Sequence, residues 1–295
     1  MWQPPPPAPG LSDSELAAAL ALGAASVLRS LRHDVDAGTW RSGTPFSTGT
    51  FRDDGDAHTQ AWLDAALTAT RPKDAVLSEE GLDDLARLSA ERVWIIDPLD
   101  GTREFGERDS AGNWRDDFGV HIALWERGAL RPAVATGWED LAGATGAAPP
   151  LGWFTAGAVA FPARGELWEM VELPGLTEAA PTETPLRLAV SRSRPPALVQ
   201  RLADTGQVEL VPQGSAGIKI LSVVSGFCDA YVHGGGQYEW DSAAPVAIAA
   251  SRGIVCSRLN GSPLWYNQPD PYLPDIIVAR AEKMPLLWQL ITEAS

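Results

Sequence analysis

The stretch from Trp94 to Thr102, with the sequence WIIDPLDGT, decides how the chain is interpreted. An apolar run that predicts a buried strand ends at Asp97, Pro98 restricts the turn, and Asp100 follows three residues after Asp97. Both carboxylates can therefore converge on one point. An exposed turn with solvated acids would show the same short pattern, so these residues alone leave the two interpretations open.

Two further acidic segments accompany predicted elements. Glu79 and Glu80 follow a predicted strand, and Asp241 precedes a predicted helix that it could simply cap. Clustered carboxylates repel one another unless a cation lies among them, and Mg²⁺ prefers such hard oxygen ligands. The three acidic segments together therefore predict a metal site. Gly101 and Thr102 would offer backbone N–H groups and a hydroxyl to a phosphate beside it.

Composition excludes several classes of protein. The 295 residues, of which 45% are hydrophobic, suffice for a sizeable core in one or two domains. A formal net charge of −15 repels phosphate backbones and anionic lipid, so we expect no nucleic-acid or membrane partner. No apolar run reaches the roughly 20 residues of a spanning helix, and the start lacks signal-peptide features. We expect a cytoplasmic protein with Cys228 and Cys256 reduced and buried.

Hydrophobic periodicity predicts an α/β (α+β) fold of two stacked α/β subdomains. Residues 1–10 form a flexible proline-rich lead, 11–183 an N-terminal α+β subdomain with the metal-binding loops, and 184–295 a C-terminal α/β subdomain that completes the site. The boundary is placed at the proline- and threonine-rich segment 179–185.

Several elements near the predicted site follow from local signals. Ser12 and Glu15 form a capping box for the first helix. The polar stretch 41–55 is predicted to lack regular structure, and a helix over 57–70 is predicted to begin after Asp56 as its cap. The strands predicted in the first subdomain cover residues 75–77, 93–96, 118–125, 132–136, 151–156 and 158–168.

These segments resemble the signatures of the inositol monophosphatase superfamily, a family of Mg²⁺-dependent, lithium-sensitive phosphatases. The signatures are a Glu-Glu strand end, an Asp-Pro-Ile/Leu-Asp-Gly-Thr loop and a Trp-Asp before a helix, and all occur here in order. The resemblance implies a layered αβαβα sandwich with two or three Mg²⁺ per site and inhibition by Li⁺. It implies that Glu79, Asp97 and the carbonyl of Leu99 hold one Mg²⁺. Asp97, Asp100 and Asp241 would hold the second.

The resemblance also implies two catalytic residues. The family threonine that helps to deprotonate the attacking water corresponds to Thr102, and the acid that orients this threonine corresponds to Asp56. The segment that leads to Asp56 departs from the family pattern Val-Thr-x-x-Asp. Asp53 or Asp54 could therefore hold the role instead.

Within the superfamily the chain is most similar to the CysQ branch, the 3′(2′),5′-bisphosphate nucleotidases, in its actinobacterial form. Thr102, Arg103, Glu104 and Phe105 resemble the Lys-Glu-Phe segment of the nucleotidases, whereas inositol phosphatases carry Thr-Asn-Phe there. Arg103 could face a second phosphate or pair with a neighbouring glutamate on the surface. The residues that we expect to bind substrate are Asp100, Gly101, Thr102, Arg103, Arg192, Gly214, Ser215, Lys219 and Asp241.

The activity that the resemblance implies is removal of the 3′-phosphate of adenosine 3′,5′-bisphosphate, giving AMP and phosphate, in sulfate assimilation. One alternative is a broader phosphatase of inositol 1-phosphate and fructose 1,6-bisphosphate. Another is a non-catalytic partner protein on the same fold. A homodimer is left open, and His58 and His233 are predicted to be structural because neither lies next to the acids in sequence.

Overall fold

The structure is a computed structural model that describes residues 2–130, 152–171, 185–193 and 195–294. The α-helices in the described residues are α1 (Asp13–Asp36), α2 (Thr48–Thr70), α3 (Thr102–Phe105), α4 (Ala197–Asp204), α5 (Ala216–Ser225), α6 (Glu239–Ser251) and α7 (Met284–Ala294). The strands are β1 (Ala75–Ser78), β2 (Arg92–Asp100), β3 (Gly119–Arg127), β4 (Gly152–Phe161), β5 (Glu166–Glu169), β6 (Leu186–Ser191), β7 (Val208–Gln213), β8 (Ala230–Tyr238), β9 (Val255–Ser257) and β10 (Tyr272–Ala279).

The strands form two sheets separated by a helical layer. The first sheet has the order β1-β2-β3-β4-β5, and only β1 and β2 run parallel in it. The second has the order β7-β6-β8-β10-β9. Helices α1 and α2 cover the outer face of the first sheet, α5 and α6 lie between the sheets, and α4 and α7 cover the second. The fold is therefore the expected αβαβα sandwich.

Helix α1 is part of the core. Ser12 and Glu15 form the predicted capping box at its start. By length and composition alone this helix of 24 residues would suffice to cross a membrane, contrary to the expectation that no apolar run would reach that length. Most of its apolar residues, among them Leu16, Leu20 and Leu28, are fully buried and pack against α2 and the first sheet.

The prediction for the segment before Asp56 was wrong. Helix α2 begins at Thr48, with Ser47 as its cap, so Asp56 lies inside the helix and not at its start. Tertiary packing overrides the weak helix propensity of this polar stretch. Phe51 is fully buried, and its ring stacks on that of Phe105 with centroids 4.6 Å apart.

Most other predicted elements are present with small shifts at their ends. Strand β2 is longer than predicted, and the strands predicted over 151–156 and 158–168 are instead one continuous strand, β4, followed by the short β5. The strand predicted over 132–136 lies outside the described residues, as does most of the predicted boundary at 179–185. Both cysteines are buried and unpaired with each other, as expected.

Candidate metal centre and substrate pocket

The two aspartates of the central loop lie on the same face of the first sheet. In a regular strand, side chains alternate between faces, so residues three apart would point to opposite sides. The register between β2 and β3 shifts by one residue in this segment. Asp97 pairs with His121, and three positions later Asp100 pairs with Gly119, only two positions away on β3. Such a bulge accommodates Pro98, which has no N–H for the ladder. The irregularity therefore brings both carboxylates to one side.

Glu79 reaches the same place through strand pairing. Strand β1 runs parallel to β2, with Ser78 opposite Ile96. The pairing continues one step further, where the N–H of Glu79 donates to the carbonyl of Ile96 at 3.3 Å. Glu79 is therefore the lateral neighbour of Asp97, and after burial its charge is the largest cause of the raised pKa of Asp97.

Asp241 arrives from the first turn of α6. Asp241 was predicted to be the cap of this helix, but the cap is Tyr238 and Asp241 is the third helical residue. Its carboxylate accepts a hydrogen bond of 2.6 Å from the N–H of Tyr238. The acid therefore stabilises the helix start and faces the other carboxylates at the same time.

Burial, followed by mutual repulsion, raises the pKa of three of these acids. Burial raises the pKa of Asp97 well above its usual range, and the charges of Glu79, Asp100 and Asp241 add to the effect. Burial and the charge of Asp100 raise the pKa of Glu79 to about 7 and that of Asp241 to about 8. Carboxylates in such surroundings stay ionised at neutral pH when a cation compensates them.

The donor set fits a hard divalent cation. Asp97 is fully buried, and its Oδ1 accepts a hydrogen bond of 3.0 Å from the N–H of Leu99. Its Oδ2 is also buried and has no hydrogen-bond partner among the described residues. An ionised oxygen without a partner is costly in the protein interior unless a cation binds it. Oxygens from Asp97 and Asp100 also lie within 4.8 Å of a ring nitrogen of His121.

Thr102 and Asp56 lie next to this cluster. The hydroxyl of Thr102 is 3.1 Å from the carbonyl of Leu99 and 3.4 Å from Oδ1 of Asp56. Burial, with the charges of Glu80 and Glu79, raises the pKa of Asp56 to about 8. The structure thus places Asp56, of the three candidate acids, beside the threonine.

The other two candidate acids point elsewhere. Asp54 is held by Arg41, with oxygen to nitrogen distances of 2.6 and 2.9 Å, and Asp53 is exposed. Gly55 is what allows the helix to approach, because a Cβ there would lie 2.7 Å from the ring of Phe105. Sequence reasoning left the choice among the three acids open because it did not predict a helix through this segment.

A cavity of about 300 Å³ adjoins the acids. Among the predicted substrate-binding residues, those that line it are Asp100, Gly101, Gly214, Ser215, Lys219 and Asp241. Thr102 lies at its edge, next to Gly101. A larger cavity of about 500 Å³ shares Gln213 with it but includes none of the clustered acids of the metal centre.

Hydrogen bonds that involve the side chains of Ser215 and Asp100 fix the loop before α5 and its first turn. Ser215 has a φ of 45°, a strained value for a residue other than glycine, and its hydroxyl donates to Oδ2 of Asp100. The N–H of Gly217 donates to the same oxygen at 2.9 Å, and the N–H of Ile218 donates to Ser215. The N–H groups of Gly217 and Ile218 are therefore already paired with side-chain oxygens of the protein.

Lys219 stabilises this loop through hydrogen bonds to its backbone. Its ammonium is buried and donates to the carbonyls of Ser215 at 2.7 Å and Gly214 at 3.3 Å. Burial lowers its pKa, and the charges of Asp100 and Glu104 oppose that shift. Because an ammonium has three donors and two are used here, Lys219 can still donate towards the cavity that it lines.

The two predicted arginines lie at the periphery. The Nε of Arg103 donates to Glu107 at 2.9 Å, and the side chain is 58% exposed, as the alternative interpretation of a surface pair described. Arg192 pairs with Asp117 and, at 3.4 Å, with Glu104. Neither arginine lines the smaller cavity.

Several site residues were missed by the sequence analysis. Tyr231, His233 and Gln237 line the cavity from β8, although His233 was predicted to be structural. His121 lies against Asp100, with Nε2 3.3 Å from Oδ2. Only Tyr231 and His121 lay on predicted strands, over 230–232 and 118–125, and residues this distant in sequence meet only through the pairing of strands.

Comparison with known proteins agrees with this geometry. The family model of the "Inositol monophosphatase family" matches residues 13–137 and 151–293. A "3'-phosphoadenosine 5'-phosphate phosphatase" of Mycobacterium bovis is 47% identical over 242 residues, 81% of each chain. One of the same name from Mycobacterium leprae is 44% identical over 286 residues, covering 96% of this chain and 94% of the relative.

A solved structure supports the same relationship. The crystal structure of CysQ from Bacteroides thetaiotaomicron, described as a bacterial member of the inositol monophosphatase family, is 26% identical. It covers 91% of this chain and 97% of its own, with a TM-score of 0.66. The match of the family model over nearly the whole chain, together with these relatives, shows that the protein belongs to the inositol monophosphatase family, whose members are metal-dependent phosphatases.

Proposed function

We propose that this protein is a phosphatase that hydrolyses the 3′-phosphate of adenosine 3′,5′-bisphosphate to AMP and inorganic phosphate. The observation that carries the proposal is the convergence of Glu79, Asp97, Asp100 and Asp241 beside a cavity, with one oxygen of Asp97 buried and unpartnered. The mycobacterial relatives named for this substrate support the choice of nucleotide. We propose that it acts in the cytoplasm, in sulfate assimilation.

Mg²⁺ is the proposed cofactor, in two or three copies, with inhibition by Li⁺. Glu79, Asp97 and the Leu99 carbonyl would hold one ion. Asp97, Asp100 and Asp241 would hold the second. When bound, the ions supply positive charge that activates water and stabilises the phosphoryl oxygens and the leaving oxygen. A purely carboxylate and carbonyl donor set favours Mg²⁺ over softer metals.

Thr102 and Asp56 are proposed to handle the proton of the attacking water. The hydroxyl of Thr102 lies between the Leu99 carbonyl and Asp56, which orients it. In its ionised form Asp56 accepts the hydrogen bond of the Thr102 hydroxyl, and a pKa raised to about 8 lets it keep a proton that it receives at neutral pH. A proton from water can thus pass to the hydroxyl of Thr102 as that group gives its own proton to Asp56.

The cavity is proposed to hold the substrate. Lys219 supplies a donor for phosphate oxygens, Gly214 and Ser215 line the cavity beside it, and Gly101 permits close approach of the backbone. Gly101 adopts a φ of 90°, and a Cβ there would lie 3.1 Å from the Cβ of Phe118. Arg103 and Arg192 are proposed to act on the second phosphate from the rim.

Phosphate release from purified protein tests the function. We expect Mg²⁺-dependent release that EDTA abolishes, and a kcat/KM for adenosine 3′,5′-bisphosphate at least about tenfold above those for inositol 1-phosphate and fructose 1,6-bisphosphate. Equal values for the three would favour the broad sugar phosphatase. No release from any of them would favour a non-catalytic protein.

A further inference from the structure

Two arginines from the N-terminal helices bind the carbonyl end of α3, the four-residue helix that begins with Thr102. A helix this short leaves most of its carbonyls without a partner inside the helix, because each backbone hydrogen bond spans four residues. Side chains supply the missing donors. Arg32 reaches α3 from α1, and Arg52 reaches it from α2.

Arg32 is buried against the end of α3. Its Nη2 donates to the carbonyls of Glu104 at 3.1 Å and Phe105 at 2.8 Å. Its Nη1 donates to the carbonyl of Arg115 at 2.7 Å. The guanidinium carbon also lies 4.2 Å from the ring centroid of Phe118, a favourable contact for a cation. Arg32 therefore fixes the end of α3 to α1 and to the segment that leads into β3.

Arg52 fixes α2 to α3. Its Nη2 donates to the carbonyl of Arg103 at 3.0 Å and to the carboxylate of Glu107 at 3.2 Å. Gly106 permits this approach, because a Cβ there would lie 2.7 Å from the side chain of Arg52. The guanidinium therefore sets where along α2 the short helix lies.

This contact lies next to the two residues that are proposed to handle the proton of the attacking water. Arg52 precedes Asp56 by about one turn of α2. Arg103 follows Thr102 directly. The hydroxyl of Thr102 lies 3.4 Å from Oδ1 of Asp56, near the limit of a hydrogen bond. A displacement of about 1 Å at such a site can cost about a hundredfold in rate.

We infer that Arg52 and Arg32 are positioning residues that hold α3 in place, so that the Thr102 hydroxyl stays within reach of Asp56. Arg52 sets the position of α3 along α2, and Arg32 holds its far end against α1. In this role neither arginine contacts the substrate or the cation. The inference rests on the proposed roles of Thr102 and Asp56.

Arg52 is the better position to test, because its side chain is 27% exposed, whereas Arg32 is buried. Arg52→Met removes the donor and keeps the length of the side chain, whereas Arg52→Lys keeps a cationic donor for the carbonyl. Glu107→Gln weakens the ion pair and leaves the contact with the carbonyl. Arg29→Met is the matched control, because Arg29 donates to Ser26 of its own helix.

Steady-state kinetics of the purified full chain with adenosine 3′,5′-bisphosphate give the first readout. We expect kcat to fall about tenfold or more in Arg52→Met and to stay within about threefold of wild type in Arg52→Lys. In Glu107→Gln and Arg29→Met, kcat should also stay within about threefold. Mg²⁺ affinity, measured by calorimetry, should change less than about threefold in all four variants.

A double-mutant cycle shows whether Arg52 acts through the proposed acid. Combined with Asp56→Asn, Arg52→Met should lower kcat by less than about twofold more, because the partner of Thr102 is already lost. An equal effect of Arg52→Met with and without Asp56→Asn would overturn the inference, since Arg52 would then act independently of that acid.

Hydrogen exchange of α3 gives a readout that needs no activity. The amide of Phe105 donates to the carbonyl of Gly101 at 2.9 Å, and the amide of Gly106 donates to the carbonyl of Thr102 at 3.3 Å. Both amides should exchange about tenfold faster or more in Arg52→Met and Arg32→Lys than in wild type. Unchanged exchange in both variants would overturn the inference. Faster exchange in a protein whose wild type releases no phosphate would support the hold on α3 and overturn the proposed function.

Discussion

Asp97 and Asp100 present their carboxylates to one face of the first sheet although they are three positions apart along β2. The register shift against β3 produces this arrangement, since Asp97 pairs with His121 and Asp100 with Gly119. A strand without that irregularity would send one acid to the opposite face. The metal centre therefore depends on a distortion of the strand as much as on the acids themselves.

Replacing Asp97 with asparagine should lower the catalytic activity without lowering the stability of the fold. We expect Asp97→Asn to lose about 4 kcal/mol or more of transition-state stabilisation, about a thousandfold in kcat/KM. Because the buried, repelled carboxylate is gone, its melting temperature in EDTA should equal or exceed that of wild type. Thermal denaturation with and without Mg²⁺ and steady-state kinetics measure the two effects. Wild-type turnover in this variant would contradict the metal assignment.

The stability of the metal-free protein should depend on pH in a defined direction. The pKa values of Glu79, Asp56 and Asp241 are raised to about 7, 8 and 8 in the folded protein, against about 4 when it is unfolded. The folded state therefore binds more protons, so stability is present at low pH and is lost as pH rises through this range.

Mg²⁺ should reverse that loss, because it competes with the same protons. We expect the melting temperature in EDTA to fall between about pH 5 and pH 8. The increase caused by Mg²⁺ should grow over the same interval. A Mg²⁺ effect of the same size at both ends of this range would show that these carboxylates do not bind the ion.

Replacement of Asp56 should lower kcat much more than it lowers the affinity for Mg²⁺. Asp56→Asn keeps the shape but cannot accept a proton, so kcat should fall by about a hundredfold or more with little change in Mg²⁺ affinity. Asp53→Asn, at an exposed position of the same helix, is the control and should be neutral. A larger effect of Asp53→Asn would move the catalytic role to that residue.

Replacement with alanine should change the stability of the protein in opposite directions at Gly55 and at Gly49. Alanine favours helices by up to about 1 kcal/mol over glycine, and Gly49 has nothing closer than 4.0 Å to a new Cβ. At Gly55 the new Cβ would lie 2.7 Å from Phe105 and 2.9 Å from Leu99, and overpacking costs about 1–3 kcal/mol. Denaturant unfolding should show Gly49→Ala neutral or stabilised and Gly55→Ala destabilised. Gly55→Ala should also lower kcat, because α2 carries Asp56.

Arg103 provides the test of the second-phosphate subsite. Arg103→Ala should raise the KM for adenosine 3′,5′-bisphosphate about fivefold or more, and that for inositol 1-phosphate much less. Arg108→Ala is the control, because Arg108 is another partly exposed arginine paired with an acid, Asp36. An equal effect on both substrates would leave Arg103 only its surface pair with Glu107.

Local signals predicted much of the fold. Ser12 and Glu15 define the start of α1, and alternation or apolar runs define the strands of both sheets. The start of α2 was missed because its helix is stabilised by the contact of Phe51 with Phe105, which no local pattern contains. The helix after Asp241 was predicted to begin three residues too late, since α6 begins at Glu239 with Tyr238 as its cap.

The amino-acid sequence by itself determined the chemistry of the centre. The Asp-Pro-Leu-Asp-Gly-Thr loop, the paired glutamates and the Trp-Asp segment specify oxygen donors and a family, because these residue types occur in order at characteristic spacings. Only the tertiary structure decided which of the neighbouring acids faces Thr102, that His121 contacts Asp100, and that Gly217 belongs to a carboxylate and not to a phosphate. Those relationships depend on strand register and on the approach of helices, which arise from packing between residues far apart in the chain.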